Sequence, residues 1–229
     1  MINPNNTILP FLVELQRNNN KVWFDQNRSW YQAVIAEFTQ FVTDIIEIVA
    51  TNDPALATAT AKNSIYRIFR DVRFSADKTP YKGHLAANIA PNGKKSQYCG
   101  FYIQLEPNNQ SFFGGGLWIE DKNILQAVRK EICSVPEDFV QILNNPQFQQ
   151  TFPDGLWTYN KLKKVPNGFD PNFEYADLLK YKHFVVTQFV DDNSLSSTNL
   201  YERIANIHKQ IIPLNNLFNY IIDDFEQKL

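Results

Sequence analysis

The stretch Tyr98-Cys99-Gly100-Phe101-Tyr102-Ile103-Gln104-Leu105-Glu106-Pro107-Asn108-Asn109-Gln110-Ser111-Phe112-Phe113-Gly114-Gly115-Gly116-Leu117-Trp118-Ile119 decides the fold class. Two runs of strand-forming residues, 98–106 and 111–119, flank Pro107-Asn108-Asn109, which has strong turn chemistry. A connection this short joins antiparallel neighbours, because a parallel crossover needs a dozen or more residues. Upstream, 65–74 and 84–90 also alternate, and Pro91-Asn92-Gly93-Lys94 supplies a second turn. Consecutive strands on short connections predict an antiparallel meander rather than βαβ units. The segment 184–190 is a further strand candidate, giving a sheet of four or five strands.

Helical periodicity brackets this core. From 22 to 49, Trp23, Trp30, Tyr31, Val34, Phe38, Phe41, Val42, Ile45, Ile46 and Val49 recur every three or four positions, with Glu37, Asp44 and Glu47 between them. A shorter helix carrying Leu9, Leu12 and Leu15 precedes it and breaks at Asn18-Asn19-Asn20, and Thr51-Asn52-Asp53-Pro54 closes the unit. After the strands, 122–133 places Ile124, Leu125, Val128 and Ile132 on one face, and Ser134-Val135-Pro136-Glu137 reads as a capping box opening another helix. The chain ends in an amphipathic helix from about Leu200, in which Pro213 is expected to kink the backbone. No repeat or linker divides the sequence. The expectation is one α+β domain over 1–229, a central antiparallel sheet flanked by long N- and C-terminal amphipathic helices.

Composition narrows the function classes. With 44% hydrophobic and 20% charged residues, the chain is an ordinary folded protein rather than a disordered one. A net charge of −2 disfavours nucleic acid or anionic lipid as the main partner, since backbone phosphates call for a basic surface. The opening Met1-Ile2-Asn3-Pro4-Asn5-Asn6 lacks the basic and apolar regions of a secretory signal, and no run reaches a membrane span. A cytoplasmic protein without membrane contact is expected. Cys99 and Cys133 have no CxxC spacing and read as small core residues. The amphipathic helices need only an intramolecular partner, so the oligomeric state is left open.

One segment is unlike the rest: Tyr66-Arg67-Ile68-Phe69-Arg70-Asp71-Val72-Arg73-Phe74-Ser75-Ala76-Asp77-Lys78-Thr79-Pro80-Tyr81-Lys82, with five cationic groups and two carboxylates. An extended 66–74 puts Tyr66, Ile68, Arg70, Val72 and Phe74 on one face, so Arg70 lies in an apolar row and requires an acidic partner or an anionic ligand. On the other face Asp71 can pair with Arg67 or Arg73.

This segment resembles the bacterial family known as domain of unknown function 2461. The resemblance also rests on Leu12, Asn19-Asn20-Lys21, Trp23-Phe24, Asn27-Arg28 and Tyr31 before the segment. After it come Gly100 to Glu106, Gly114-Gly115-Gly116-Leu117-Trp118, Arg129, and Lys164-Val165-Pro166-Asn167-Gly168-Phe169. It extends from about Leu9 to about Phe184. Cys99 and Asn167 depart from the expected pattern without disturbing it. The family carries no agreed activity, so the resemblance implies membership and little chemistry.

Two readings of the charged segment stay open. In the first, Arg67, Arg70, Arg73, Lys78 and Lys82, with Asp71, Tyr81 and Tyr102, line a site for a phosphate- or carboxylate-bearing small molecule, and Lys21 and Arg28 converge on it. Turnover is left open; Asp71, Asp77 or Glu106 becomes a base if a pocket raises its pKa. In the second, the charges pair with Asp71, Asp77 and Glu106 as a structural network in a non-catalytic protein-interaction module.

Other motifs carry less. Ser75-Ala76-Asp77-Lys78 matches S-x-x-K, but Ser-Asp-Asn and Lys-Thr-Gly are missing, and a turn explains it. Gly114-Gly115-Gly116 lacks a following Gly-Lys-Ser/Thr and reads as close backbone packing in a strand. His84, His183 and His208 have no metal-ligand spacing, no carboxylate pair stands out, and neither a metal nor a cofactor is implied. Trp23, Phe24, Trp30 and Tyr31 read as core.

Overall fold

The computed structural model describes residues 3–227; Met1 and Ile2, which open the amino-terminal stretch read above, lie outside them. The fold is α+β. Helices α1 (Pro4–Arg17), α2 (Lys21–Gln26), α3 (Arg28–Ala50) and α4 (Ala61–Ser64) precede strands β1 (Leu85–Ile89), β2 (Gly100–Leu105) and β3 (Ser111–Leu117). Helices α5 (Lys122–Ser134), α6 (Pro136–Leu143) and α7 (Pro146–Thr151), strand β4 (Phe184–Val190) and helix α8 (Leu200–Gln227) complete the chain. The strands form one sheet in the order β1-β2-β3-β4, which is the expected meander extended by the 184–190 strand.

The β2–β3 turn shows why its asparagines matter. Asn108 and Asn109 both hold positive φ, 65° and 61°, a region asparagine tolerates better than most residues. The Asp192 carboxylate accepts both of their backbone N–H groups at 3.0 Å. The glycine run in β3 is a packing device. At Gly116 φ is +103°, and an added methyl would meet the Phe184 carbonyl oxygen on the neighbouring strand.

Three local expectations change. The periodic run 22–49 is two helices, because Asn27 ends α2 and its side-chain amide donates to the Trp23 carbonyl at 2.9 Å, competing with the backbone ladder. Ser134 is the last residue of α5, and α6 starts after Val135 with no side-chain cap, so the capping box does not form. Cys99 is buried, but Cys133 is exposed rather than part of the core. Helix α8 runs through Pro213 as a single assigned helix.

Contacts group the chain into two compact units. The first holds the stretch through Lys95 with Tyr102–Phe113 and Phe189–Asn206. Within it α1, α3 and β1 pack together, burying Phe11, Leu12, Phe38, Phe41, Leu85 and Ala87. Trp23, Trp30 and Tyr31 surround the buried Phe11 ring at 5.3–5.9 Å but are themselves half-buried, so of the four aromatics expected in the core only Phe24 is fully buried. The second holds Ser96–Phe101, Gly114–Gln188 and the stretch from Ile207 onward. There the later part of α8 lies against β3 and β4, with Ile211 facing Gly115 and Phe218 5.3 Å from Phe184. Arg129 of α5 is buried, and its guanidinium donates to the carbonyls of Leu179 and Tyr181.

Candidate functional site

The charged segment is an irregular hairpin, not the strand expected over 65–74. Only Ile65 and Phe69 form bridges, to Ala87 and Tyr81. Its arms are held by backbone bonds from Tyr66 N–H to Ala86, Arg70 N–H to Pro80 and Lys82 N–H to Ile68. Beyond Arg70 the Asp77 side chain turns the chain back, accepting the Thr79 N–H at 2.9 Å and its hydroxyl at 2.8 Å. The apolar row therefore fails: Ile68 is buried, but Phe74 is 96% exposed.

Arg70 has the acidic partner its position demands. Its guanidinium pairs with the Asp77 carboxylate and donates to the Thr79 hydroxyl at 2.6 Å. The N–H of Thr79, then Arg70, lowers Asp77 to about 2. Asp71 selects Arg73 in a two-bonded pair at 2.9 and 2.7 Å, which holds its pKa down; Arg67 reaches it only as a weaker, more distant charge. Lys78 donates to the Val72 carbonyl, 2.9 Å away. Tyr81 is buried, stacked on Phe24 at 4.0 Å, with its backbone bonded both ways to the Asn19 amide. Arg28 turns to Asp25, and Lys21 is exposed on α2.

The base of the hairpin differs. Arg67 is exposed, and neither it nor Lys82 makes an ion pair or side-chain hydrogen bond among the described residues. Lys82 is half-buried with its ammonium 5.3 Å from the Tyr66 ring centre, and burial followed by the nearby Arg67 charge lowers its pKa. Beside it, burial and then the charges of Lys82 and Arg70 push His84 down to about 4, so the imidazole is neutral at pH 7.

His84 was not among the residues expected at the site. Its Nδ1 lies 3.6 Å from Glu106 Oε2, too long for a hydrogen bond. Glu106 in turn accepts from the Gln104 amide at 2.7 Å, and Gln104 accepts from the Tyr102 hydroxyl at 3.1 Å. Burial raises both Glu106 and Tyr102, so this row favours neutral groups. Of the carboxylates weighed as a base, Glu106 alone moves in the useful direction. The pairing was readable: His84 immediately precedes β1 and Glu106 immediately follows β2, which places them together in an antiparallel pair.

The structure thus brings Lys82 beside both Arg67 and His84, with Tyr102 in the adjoining row through Tyr66, whose ring centre is 6.4 Å away. Arg73, Asp71 and Lys78 sit on the loop, and Tyr81 is core. Among the described residues, no group of three or more His, Cys, Asp or Glu could hold a metal ion, and no helix is long and apolar enough to cross a membrane.

No curated protein and no solved structure matches the chain. Residues 7–217, which include the whole hairpin, match a family described as conserved hypothetical protein (DUF2461), and the chain belongs to that family.

Proposed function

We propose that the base of the hairpin binds an anionic small molecule, phosphate- or carboxylate-bearing, through Arg67 and Lys82. The observation that carries this reading is a local excess of positive charge. Two neighbouring cations lack ion-pair partners among the described residues, and Lys82, after burial itself, helps keep the adjacent His84 neutral. A guanidinium suits bidentate contact with a planar or tetrahedral oxyanion, and the ammonium adds a point charge. An anion seated here also draws a proton onto His84, so binding should tighten as pH falls from 7 toward 5.

A second reading, a non-catalytic protein-interaction module, is favoured by Phe74. That ring is 96% exposed at the hairpin tip with the Arg73 guanidinium 5.8 Å from its centre, a pairing of the two residue types enriched at protein interfaces.

Thermal-shift titration with inorganic phosphate, citrate and adenosine monophosphate separates the readings. A ligand at about 100 times its Kd stabilises by about 2.7 kcal/mol. The expected result is a shift lost in Arg67→Ala/Lys82→Ala and kept in Arg73→Ala. A shift that survives the double substitution, or none with any of the three anions, overturns the anion reading and leaves the Phe74 surface as the lead.

A further inference from the structure

Three large aromatic side chains of the second unit are exposed together: Trp118 at 48%, Trp157 at 44% and Tyr159 at 52%. Trp118 follows β3; Trp157 and Tyr159 lie between α7 and β4, where the Trp157 N–H donates to the Val185 carbonyl at 2.8 Å and fixes that loop to the strand. Isolated exposed apolar residues are ordinary, but a contiguous group of this size on a folded surface marks a binding site.

The ring geometry restricts what can bind. The inner face of Trp118 is taken by His183, stacked at 3.9 Å with the planes 8° apart. His183 is buried, its Nδ1 accepts the Ile119 N–H at 3.2 Å, and burial lowers its pKa, so a neutral imidazole backs the indole. Tyr159 is nearly equidistant from the two stacked rings, 6.1 Å from Trp118 and 6.3 Å from His183, and so lies beside the stack rather than on it. Its plane is 22° from that of Trp118, so the two rings lie side by side and nearly parallel, with Tyr159 set slightly toward the His183 level. Trp157 adjoins both at 6.1 and 5.6 Å, tilted by 47° and 28°.

Aromatic faces carry the negative lobe of the ring quadrupole, while the indole N–H and phenol O–H edges are polar. The complementary body has a flat face of weakly positive C–H groups and a rim of hydroxyls. A quaternary ammonium instead needs rings surrounding it from several directions, which three rings tilted by at most 47° to one another do not provide. A protein anchor needs a desolvated pocket rather than a floor. A nucleotide needs unbalanced positive charge for its phosphate. Lys182 and Glu120 act on His183 with opposite sign, while Lys163 and Lys164 stand exposed on the loop that carries Tyr159, so an oligothymidine control separates a nucleobase from a sugar.

We propose that Trp118, Trp157 and Tyr159 form a stacking platform for a pyranose ring of a neutral oligosaccharide, with the Tyr159 hydroxyl and the indole N–H groups bonding to its hydroxyls. The site is independent of the hairpin and of any anion bound there.

Tryptophan fluorescence of the full chain, titrated with maltohexaose, cellohexaose and N-acetylchitohexaose, tests this. Saturable quenching by at least one hexasaccharide is expected, with affinity at least tenfold weaker in Trp157→Ala and in Tyr159→Ala and unchanged in Arg67→Ala/Lys82→Ala. Both single variants alter exposed loop residues, and circular dichroism checks that each folds, whereas Trp118→Ala would also uncover His183. No response to any of the three sugars up to millimolar concentration overturns the platform, as does equal binding by both single variants. Binding of oligothymidine where the sugars fail reassigns the rings to nucleobases and equally overturns the sugar assignment.

Discussion

The two ends of the hairpin hold the same kinds of residue and treat them oppositely. At the tip each cation is satisfied by its own loop: Arg70 by Asp77 and Thr79, Arg73 by Asp71, Lys78 by the Val72 carbonyl. At the base Arg67 and Lys82 have one another for neighbours, and burial, followed by the Arg67 charge, lowers the pKa of Lys82. A cluster of charges in a sequence is therefore not yet a site. Charges that pair within the loop fix its shape, and what they leave unbalanced is available to a ligand. The contrast is testable, because tip substitutions should cost stability or nothing, while the base should answer to pH and anions.

The largest effect is expected at His84. Its folded pKa of about 4 lies below the ordinary 6.5, so between those values the unfolded chain binds the proton more readily. Stability from this group is therefore fully present above 6.5 and is lost as pH falls toward 4, by at most about 3 kcal/mol. Urea unfolding at pH 7, 5.5 and 4 should show this decline in the wild type and a flatter profile in His84→Gln. Parallel profiles would mean that neither burial nor the charges of Lys82 and Arg70 depress His84, and the contrast would lose its base.

Arg70→Ala is expected to act next, by about 1 kcal/mol, because it removes a part-buried guanidinium bonded to two partners. The loss should carry its own pH signature. Asp77 is depressed from 3.8 to about 2, so its contribution is present above 3.8 and disappears as pH falls through 2. Without Arg70 part of that acid-side decline should vanish, while the bond from the Thr79 N–H, the larger cause, keeps the rest. A variant that binds phosphate as the wild type does, but unfolds at lower urea, assigns Arg70 to the fold. Loss of phosphate binding with stability unchanged would move the site toward the tip.

Much of the fold was legible because its signals are local. Alternation and the Asn108-Asn109 turn produced β2 and β3, and alternation alone produced β4. The hairpin was misread for a physical reason: Tyr66, Ile68, Arg70, Val72 and Phe74 alternate as a strand does, but no ladder partner exists beyond Arg70. Asp77, which bends the chain back onto itself, acts through a side-chain bond that periodicity does not report. The need of Arg70 for a partner was readable from charge and spacing, as was the pairing of Asp71 with Arg67 or Arg73, between which the fold chooses Arg73. His84 leaves no signal in metal-ligand spacing; its place beside Glu106 follows only from the ends of β1 and β2 that the two residues occupy. The aromatic platform left still less trace: Trp157 and Tyr159 reach Trp118 from a loop whose course depends on one backbone bond to β4.

The smallest effect is expected where the pairing looks best on paper. Arg73 and Asp71 make two parallel bonds at 2.9 and 2.7 Å, but their side chains are 76% and 47% exposed. Water solvates both groups nearly as well when they are apart, and holding the long arginine in one rotamer costs entropy. Arg73→Ala should leave the urea midpoint indistinguishable from the wild type, and Asp71→Asn should do the same. Added salt should change nothing further, because there is little interaction left to screen. A measurable loss in either variant would mean that the exposed tip is held in place by more than its own pairs. A protein surface docked on Phe74 would then become the better account of why the chain keeps five charges there.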